Sequence, residues 1–172
     1  MKSLDPPDSH YLSGAIGWLG LGNWQEADEE FEKIAPELRA HPDVLEVRWQ
    51  IYAKAGKWDK AAQIAATLVD MQPNEPGAWI SLAYATRRKP AGGLLQAKMI
   101  LTAMEKRFPE VWLFPYNLAC YCAQLGLLDE CQEWFKKALA IDQQTVKRAA
   151  MDDPDLQPLR DIMGGTLWQR SE

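Results

Sequence analysis

Gly22-Asn23-Trp24-Gln25-Glu26-Ala27 returns 34 residues later as Gly56-Lys57-Trp58-Asp59-Lys60-Ala61, and again as Gly126-Leu127-Leu128-Asp129-Glu130-Cys131. The second interval is 70 residues, two periods of 34 plus two. A copy is therefore expected between them, around Gln96-Ala97. The two extra residues fall in Lys89-Pro90-Ala91-Gly92-Gly93, where a lengthened turn absorbs them without disturbing either flanking helix. Self-similarity at such a period marks a stacked array, in which each unit buries its apolar face only against its neighbours.

Outward from each glycine, every unit reads as two helices joined by a tight turn. The glycine supplies the left-handed backbone that ends the first helix. In the second unit Trp58, Ala61, Ala62, Ala65, Leu68, Val69 and Met71 fall at helical spacing, and in the fourth Leu128, Cys131, Phe135, Ala138, Leu139 and Ile141 do the same. Pro73 and Pro109 punctuate the ends of second helices, because proline cannot continue the hydrogen-bond ladder and disfavours helix at the residue before it. Ala15, Ala83 and Ala119 in first helices, with Ala27, Ala61, Ala97 and Cys131 in second helices, are predicted to let helix axes approach closely.

These residues resemble the tetratricopeptide repeat family, whose helix-turn-helix unit carries Trp, Leu, Gly or Ala, and Tyr in its first helix, then Gly, an aromatic, Ala, Phe, Ala and Pro. Trp79-Ile80-Ser81-Leu82-Ala83 and Tyr116-Asn117-Leu118-Ala119 match the first helix, and Tyr11, Ala15, Trp18, Gly22, Trp24, Ala27 and Phe31 match the first unit. The resemblance implies an all-α fold, a right-handed superhelix of antiparallel hairpins in a single domain. After an extension at 1–7, the repeats are expected at 8–41, 42–75, 76–111 (with the two-residue insertion) and 112–142, followed by capping helices at 143–163 and a mobile tail at 164–172, where Trp168 could dock. Three departures carry expectations. Arg48 and Trp49 stand where the family favours Leu and a small residue, predicting a rotated or more widely spaced first helix in the second unit. Pro36 comes early and Pro42 late, predicting a longer or bent second helix in the first unit. Asp142-Gln143 replaces a terminal proline, predicting that the last second helix runs on.

The resemblance also implies a concave groove lined by first helices and a role in holding a peptide strand or partner helix. Its groove positions carry over as Leu12 and Ile16 in the first unit, Glu46, Gln50 and Lys54 in the second, Ile80, Tyr84, Arg87 and Arg88 in the third, and Tyr116, Cys120 and Gln124 in the fourth. Arg87, Arg88 and Lys89 form a cationic patch, read either as a helix end complementing its dipole or as an anchor for a partner's acidic side chain or C-terminal carboxylate. Relatives that hold the tails of heat-shock chaperones use Lys and Asn at groove positions where this chain has Leu12 and Ile16, which disfavours that role. The apolar Leu12 and Ile16 end suits an alternative, a chaperone of an unfolded secretion substrate like those of type III translocators. An enzyme using the Cys120 thiol is the weaker third reading.

Composition narrows the classes further. Hydrophobic residues at 47% and charged residues at 25% exclude a disordered chain. Nineteen basic against twenty-four acidic side chains, a net charge of −5, give no general pull toward nucleic acid or anionic lipid, so neither is expected as a partner. Three cysteines do not make an even disulfide framework, and the start Met1-Lys2-Ser3-Leu4-Asp5-Pro6-Pro7-Asp8 lacks the pattern of a secretory signal. A bacterial cytoplasmic location is the expectation.

Candidate chemistry is sparse. Cys120 and Cys122, two apart on a helix, point to different faces, and His10 and His41 are the only histidines, so no metal site is expected. Pro90-Ala91-Gly92-Gly93 lacks the Gly-Lys-Ser/Thr ending of a phosphate loop, and Glu26-Ala27-Asp28-Glu29-Glu30 lacks the spacing of a calcium loop. No cofactor and no catalytic set are predicted. Of the eight tryptophans, Trp24, Trp58 and Trp79 sit at repeat positions and are expected in the core, while Trp112 at a unit start is free to be partly exposed.

Overall fold

The computed structural model describes residues 4–163. Among them are ten α-helices and no strand. The helices are α1 (Asp8–Gly20), α2 (Trp24–Glu32), α3 (Pro42–Lys54), α4 (Trp58–Met71), α5 (Pro76–Arg88), α6 (Leu94–Glu105), α7 (Leu113–Gln124), α8 (Leu128–Ile141), α9 (Gln143–Ala150) and α10 (Gln157–Met163). The predicted tail at 164–172, with Trp168, lies outside the described residues. The chain divides into two compact units, Met1–Ala91 and Gly92–Glu172, and the division falls within the lengthened turn of the third repeat.

The turn glycines do what the period demands. Gly22, Gly56 and Gly126 have φ of 80°, 69° and 74°, a left-handed conformation that any side chain would strain. Pro42 and Pro76 open α3 and α5, where the missing N–H costs no helical hydrogen bond.

In the first unit α1 packs on α2, α3 on α4 and α4 on α5. Leu12, Ala15, Leu19, Ala27, Phe31, Ile34, Val44, Val47 and Ile51 form one core cluster. The seam alanines Ala15, Ala27, Ala61 and Ala83 are wholly buried, so the helices meet where their side chains are smallest. The Asp8 carboxylate accepts from the Ala35 N–H at 2.7 Å, tying the start of α1 to the segment after α2.

Two boundary expectations fail for local reasons. α2 is shorter than expected, stopping at Glu32, because Ala35 is extended ahead of Pro36 (φ −53°, ψ 132°) and Pro36 starts a separate 3₁₀ turn through Leu38. α8 does not run on either. Asp142 leaves helical geometry (φ −146°, ψ 87°), and its carboxylate accepts from the Thr145 N–H at 3.0 Å, capping α9. That hydrogen bond holds the Asp142 carboxyl below its usual range.

Arg48, which departs from the repeat pattern, is a cross-helix clamp. Its guanidinium pairs with Asp28 and with Glu32 (3.0 Å) on α2, and lies 4.4 Å from the Phe31 ring and 4.6 Å from the Tyr52 ring.

In the second unit α7 packs against both α6 and α8. Leu101, Phe114, Leu118, Tyr121 and Phe135 fill its core, with Ala97, Ala119 and Cys131 wholly buried at the seam. Glu105 is a buried carboxylate paired with Lys137. Burial pushes the Cys122 thiol up to about 11 and the Cys131 thiol up to about 12, so both are neutral packing groups. No helix among the described residues is long and apolar enough to cross a membrane.

Candidate protein-binding surface

The carried-over groove positions have one address on every first helix. Counted back from the last residue of the helix, they stand at eight, four and zero: Glu46, Gln50 and Lys54 on α3, Ile80, Tyr84 and Arg88 on α5, Tyr116, Cys120 and Gln124 on α7, and at eight and four Leu12 and Ile16 on α1. The two units treat this address in opposite ways.

On the first unit it is open, apart from Leu12, which belongs to the core. Ile16 is 51% exposed, Glu46, Gln50 and Lys54 are exposed, Tyr84 is 36% exposed, and Ile80, Arg87 and Arg88 are half-buried. Between α3 and α5 lies a cavity of about 190 Å³, lined by Glu46, Trp49, Gln50, Ala78 and Ser81 among others. Although the residue as a whole is exposed, partial desolvation of its carboxyl, reinforced by Asp43 and Glu75, raises Glu46 above its usual value. Trp49, the second departure from the repeat pattern, stands edge-on to Tyr84 with ring centroids 6.1 Å apart, and Trp58 approaches the same ring at 6.0 Å. Arg88 lies 3.6 Å from the centroid of the Tyr84 ring and 5.3 Å from that of Trp58. The guanidinium is thus held by aromatic faces.

On the second unit the address is closed. The chain returns after α9 through Asp153, a 3₁₀ turn (Pro154–Leu156) and α10, and this strap packs on α7. The Tyr116 hydroxyl donates to Asp153 Oδ2 at 2.7 Å, the Cys120 thiol donates to the same oxygen at 3.7 Å, and the Gln124 side-chain amide donates to the Asp155 carbonyl at 2.9 Å. Leu156 and Leu159 are wholly buried. Arg160 fastens the strap by donating to the carbonyls of Ala150 and Asp153, both at 2.8 Å. Burial and the bond to Asp153 push the Tyr116 hydroxyl well above its usual value. Tyr116 and Cys120 are therefore not open groove residues: Cys120, expected to meet solvent, is 2% exposed.

Folding brings the Cys120 thiol and the Asp153 and Asp155 carboxylates within 4.8 Å of one another, a grouping that cysteine spacing could not reveal. Both Asp153 oxygens already accept hydrogen bonds, from Tyr116 and from the Asp155 N–H. Trp112 is half-buried, its ring 5.4 Å from that of Tyr116. Trp24, Trp58 and Trp79, expected in the core, are also only half-buried.

The residues missed from sequence are Trp49, Trp58, Lys57 and Lys60. Trp49 reaches Tyr84 from α3, while Lys57, Trp58 and Lys60, at the start of α4, come beside Tyr84 and Arg88 because α4 packs on α5, and it is these three that carry the sequence signal. Their signal in the sequence is the Gly-Lys-Trp-Asp-Lys turn, which by itself reads as repeat punctuation.

No family model and no curated protein matches the chain. Solved structures do. A thermophilic TPR protein, TTC0263 of Thermus thermophilus, superposes with a TM-score of 0.68 over 82% of this chain and 78% of its own, at 23% identity. The MamA RS-1 ArsTM double mutant gives 0.67 over 84% and 79% at 17% identity, and MamA MSR-1 C2 gives 0.61 over 84% and 83% at 20% identity. The fold is the tetratricopeptide helical-repeat fold.

Proposed function

We propose that the chain is a non-catalytic protein-interaction module, and that the open address on α3 and α5 receives a peptide segment or a helix of a protein partner. One observation carries this reading. The equivalent address on α7 already holds a polypeptide segment, Asp153-Pro154-Asp155-Leu156, through side-chain donors to a carboxylate and to a backbone carbonyl. Glu46, Gln50, Lys54, Ile80, Tyr84 and Arg88 offer polar, aromatic and cationic groups in the same places, with no strap above them among the described residues. Aromatic rings with arginine are the combination that dominates binding energy at interfaces.

In this reading Arg87 and Arg88 anchor an acidic group of the partner, Ile16 extends the surface on α1, and the protein works in the cytoplasm without nucleic acid, membrane, metal or cofactor. The thiol-enzyme alternative rested on an accessible Cys120 and loses that support with its burial. The exposed Ile16 favours the chaperone reading as a second choice. Affinity purification with wild type and a Gln50→Ala/Tyr84→Ala/Arg88→Ala variant tests the proposal. Selective loss of retained partners from the variant is expected, and equal retention of the same partners would remove the α3–α5 face. Co-expression that solubilises an aggregation-prone partner only when Ile16 is intact would move the conclusion to the chaperone.

A further inference from the structure

The first unit has a second concave feature at the edge where the α3–α4 turn meets the end of α5. It is a pocket of about 350 Å³ whose lining includes Lys57, Trp58, Asp59, Lys60, Arg88 and Pro90. Three of its side chains are cationic, and they come from two repeats. None of the three forms an ion pair among the described residues; each is held by aromatic rings instead. Lys57 lies 5.1 Å from the Trp24 centroid and 5.9 Å from that of Tyr52, Lys60 lies 5.5 Å from Tyr52, and Arg88 lies over Tyr84 and Trp58. Aromatic faces orient a cation without neutralising it. With Asp59 the only acid in the lining, the pocket carries a formal charge of +2, inside a chain whose net charge is −5.

We infer that this pocket, built by Lys57, Lys60 and Arg88 around Trp58, is a binding site for a phosphate monoester on a protein partner, a phosphorylated side chain. A phosphomonoester carries close to two negative charges at neutral pH and offers three strong acceptor oxygens. It matches both the charge of the pocket and its three donors, whereas a carboxylate would leave one charge unbalanced. A nucleic-acid strand fits less well, because it needs a long run of cations along its backbone, and this pocket offers three in an otherwise acidic chain. The inference shares Arg88 with the acidic-anchor reading above and deepens it, resting on that reading only for the peptide that would carry the phosphate.

The test titrates the full chain at fixed ionic strength with inorganic phosphate, a phosphoserine hexapeptide, its unphosphorylated twin and a single-stranded RNA decamer, following the Trp58 indole N–H by NMR. A Trp58→Phe variant assigns that resonance. Saturable shifts with phosphate and with the phosphopeptide, and none with the twin, are expected. Lys57→Ala/Lys60→Ala should weaken both by about tenfold or more, through loss of two charge-assisted contacts, with melting unchanged because both lysines are exposed. Asp59→Asn should tighten them, since it removes the one opposing charge. The phosphopeptide should also weaken below about pH 6, where its second proton returns. No saturable shift, an equal response to the unphosphorylated twin, indifference to the lysine substitutions, or tighter binding of RNA than of phosphopeptide would each overturn the inference. Saturation by inorganic phosphate but not by the phosphopeptide would overturn the assignment to a protein-borne phosphate. If phosphate binding fails while partner retention still depends on Gln50, Tyr84 and Arg88, the peptide-binding reading stands and only the phosphate site falls.

Discussion

α3 and α7 are the same repeat helix put to different uses. Both end in a left-handed glycine turn and pack on their own second helix. At the shared address α3 shows Glu46, Gln50 and Lys54 to solvent, while α7 spends Tyr116, Cys120 and Gln124 on the strap from Asp153 to Leu159. The difference teaches that the α7 face is closed by a return of the chain that brings the Asp153 carboxylate, the Asp155 carbonyl and two buried leucines onto it, fastened by Arg160. Both units have an alanine-lined seam and an apolar core, and the second adds a lid over the first-helix address.

The comparison breaks most readily at the lid. Leu156→Ala removes a wholly buried side chain and should cost about 2 to 5 kcal/mol, the range for such truncations where the site cannot collapse. Calorimetry should show the loss, and Cys120, protected in the wild type, should become the first thiol to react with Ellman's reagent. A variant that keeps both its melting temperature and its slow thiol would mean that the strap does not close α7.

Alkaline pH is the next lever, and through the thiols it acts on the second unit, where all three cysteines lie. Folded-state values of about 11 for Cys122 and about 12 for Cys131 lie above the ordinary thiol value of 9.0. The stabilisation is complete below pH 9 and is lost as pH rises toward 12, where the unfolded chain gives up protons that the folded one retains. The melting temperature should fall across this window in the wild type and fall less steeply in Cys131→Ala.

A third substitution probes the first unit's seam. Ala61→Phe forces a ring between helices that meet at a wholly buried methyl group, and should cost about 1 to 3 kcal/mol by overpacking. An unchanged melting temperature would contradict the repeat register. The smallest effect sharpens the comparison most. Gln124→Ala should cost about 1 kcal/mol through the lost bond to the Asp155 carbonyl, while Lys54→Ala, at the same address on α3, should stay within about 0.5 kcal/mol. Equal costs would erase the distinction between a closed and an open face.

The repeats were legible because glycine and alanine leave strong marks. A residue with φ near 70° is almost always glycine, and a buried seam excludes all but the smallest side chains, so Gly22, Gly56, Gly126, Ala61 and Ala97 announce themselves at a fixed period. The ends of α2 and α8 were not legible from the period, since they depend on one backbone conformation each, Ala35 ahead of Pro36 and Asp142 capping its own successor. The site was legible only as a set of addresses. Which addresses are open depends on where residues 153 to 159 return, a contact some 33 residues distant in sequence from Cys120. The gathering of Lys57 and Lys60 with Arg88 likewise arises from packing α4 on α5.

The strap has an evolutionary consequence. Because Asp153 and Asp155 answer to Tyr116, Cys120 and Gln124 within one polypeptide, a change on either side is repaired by the same gene, and these positions should drift together among relatives of this chain. Positions 46, 50 and 54 meet no such strap among the described residues. Their variation should instead track a second gene, so that the pattern of paired substitutions itself becomes a way to find the partner.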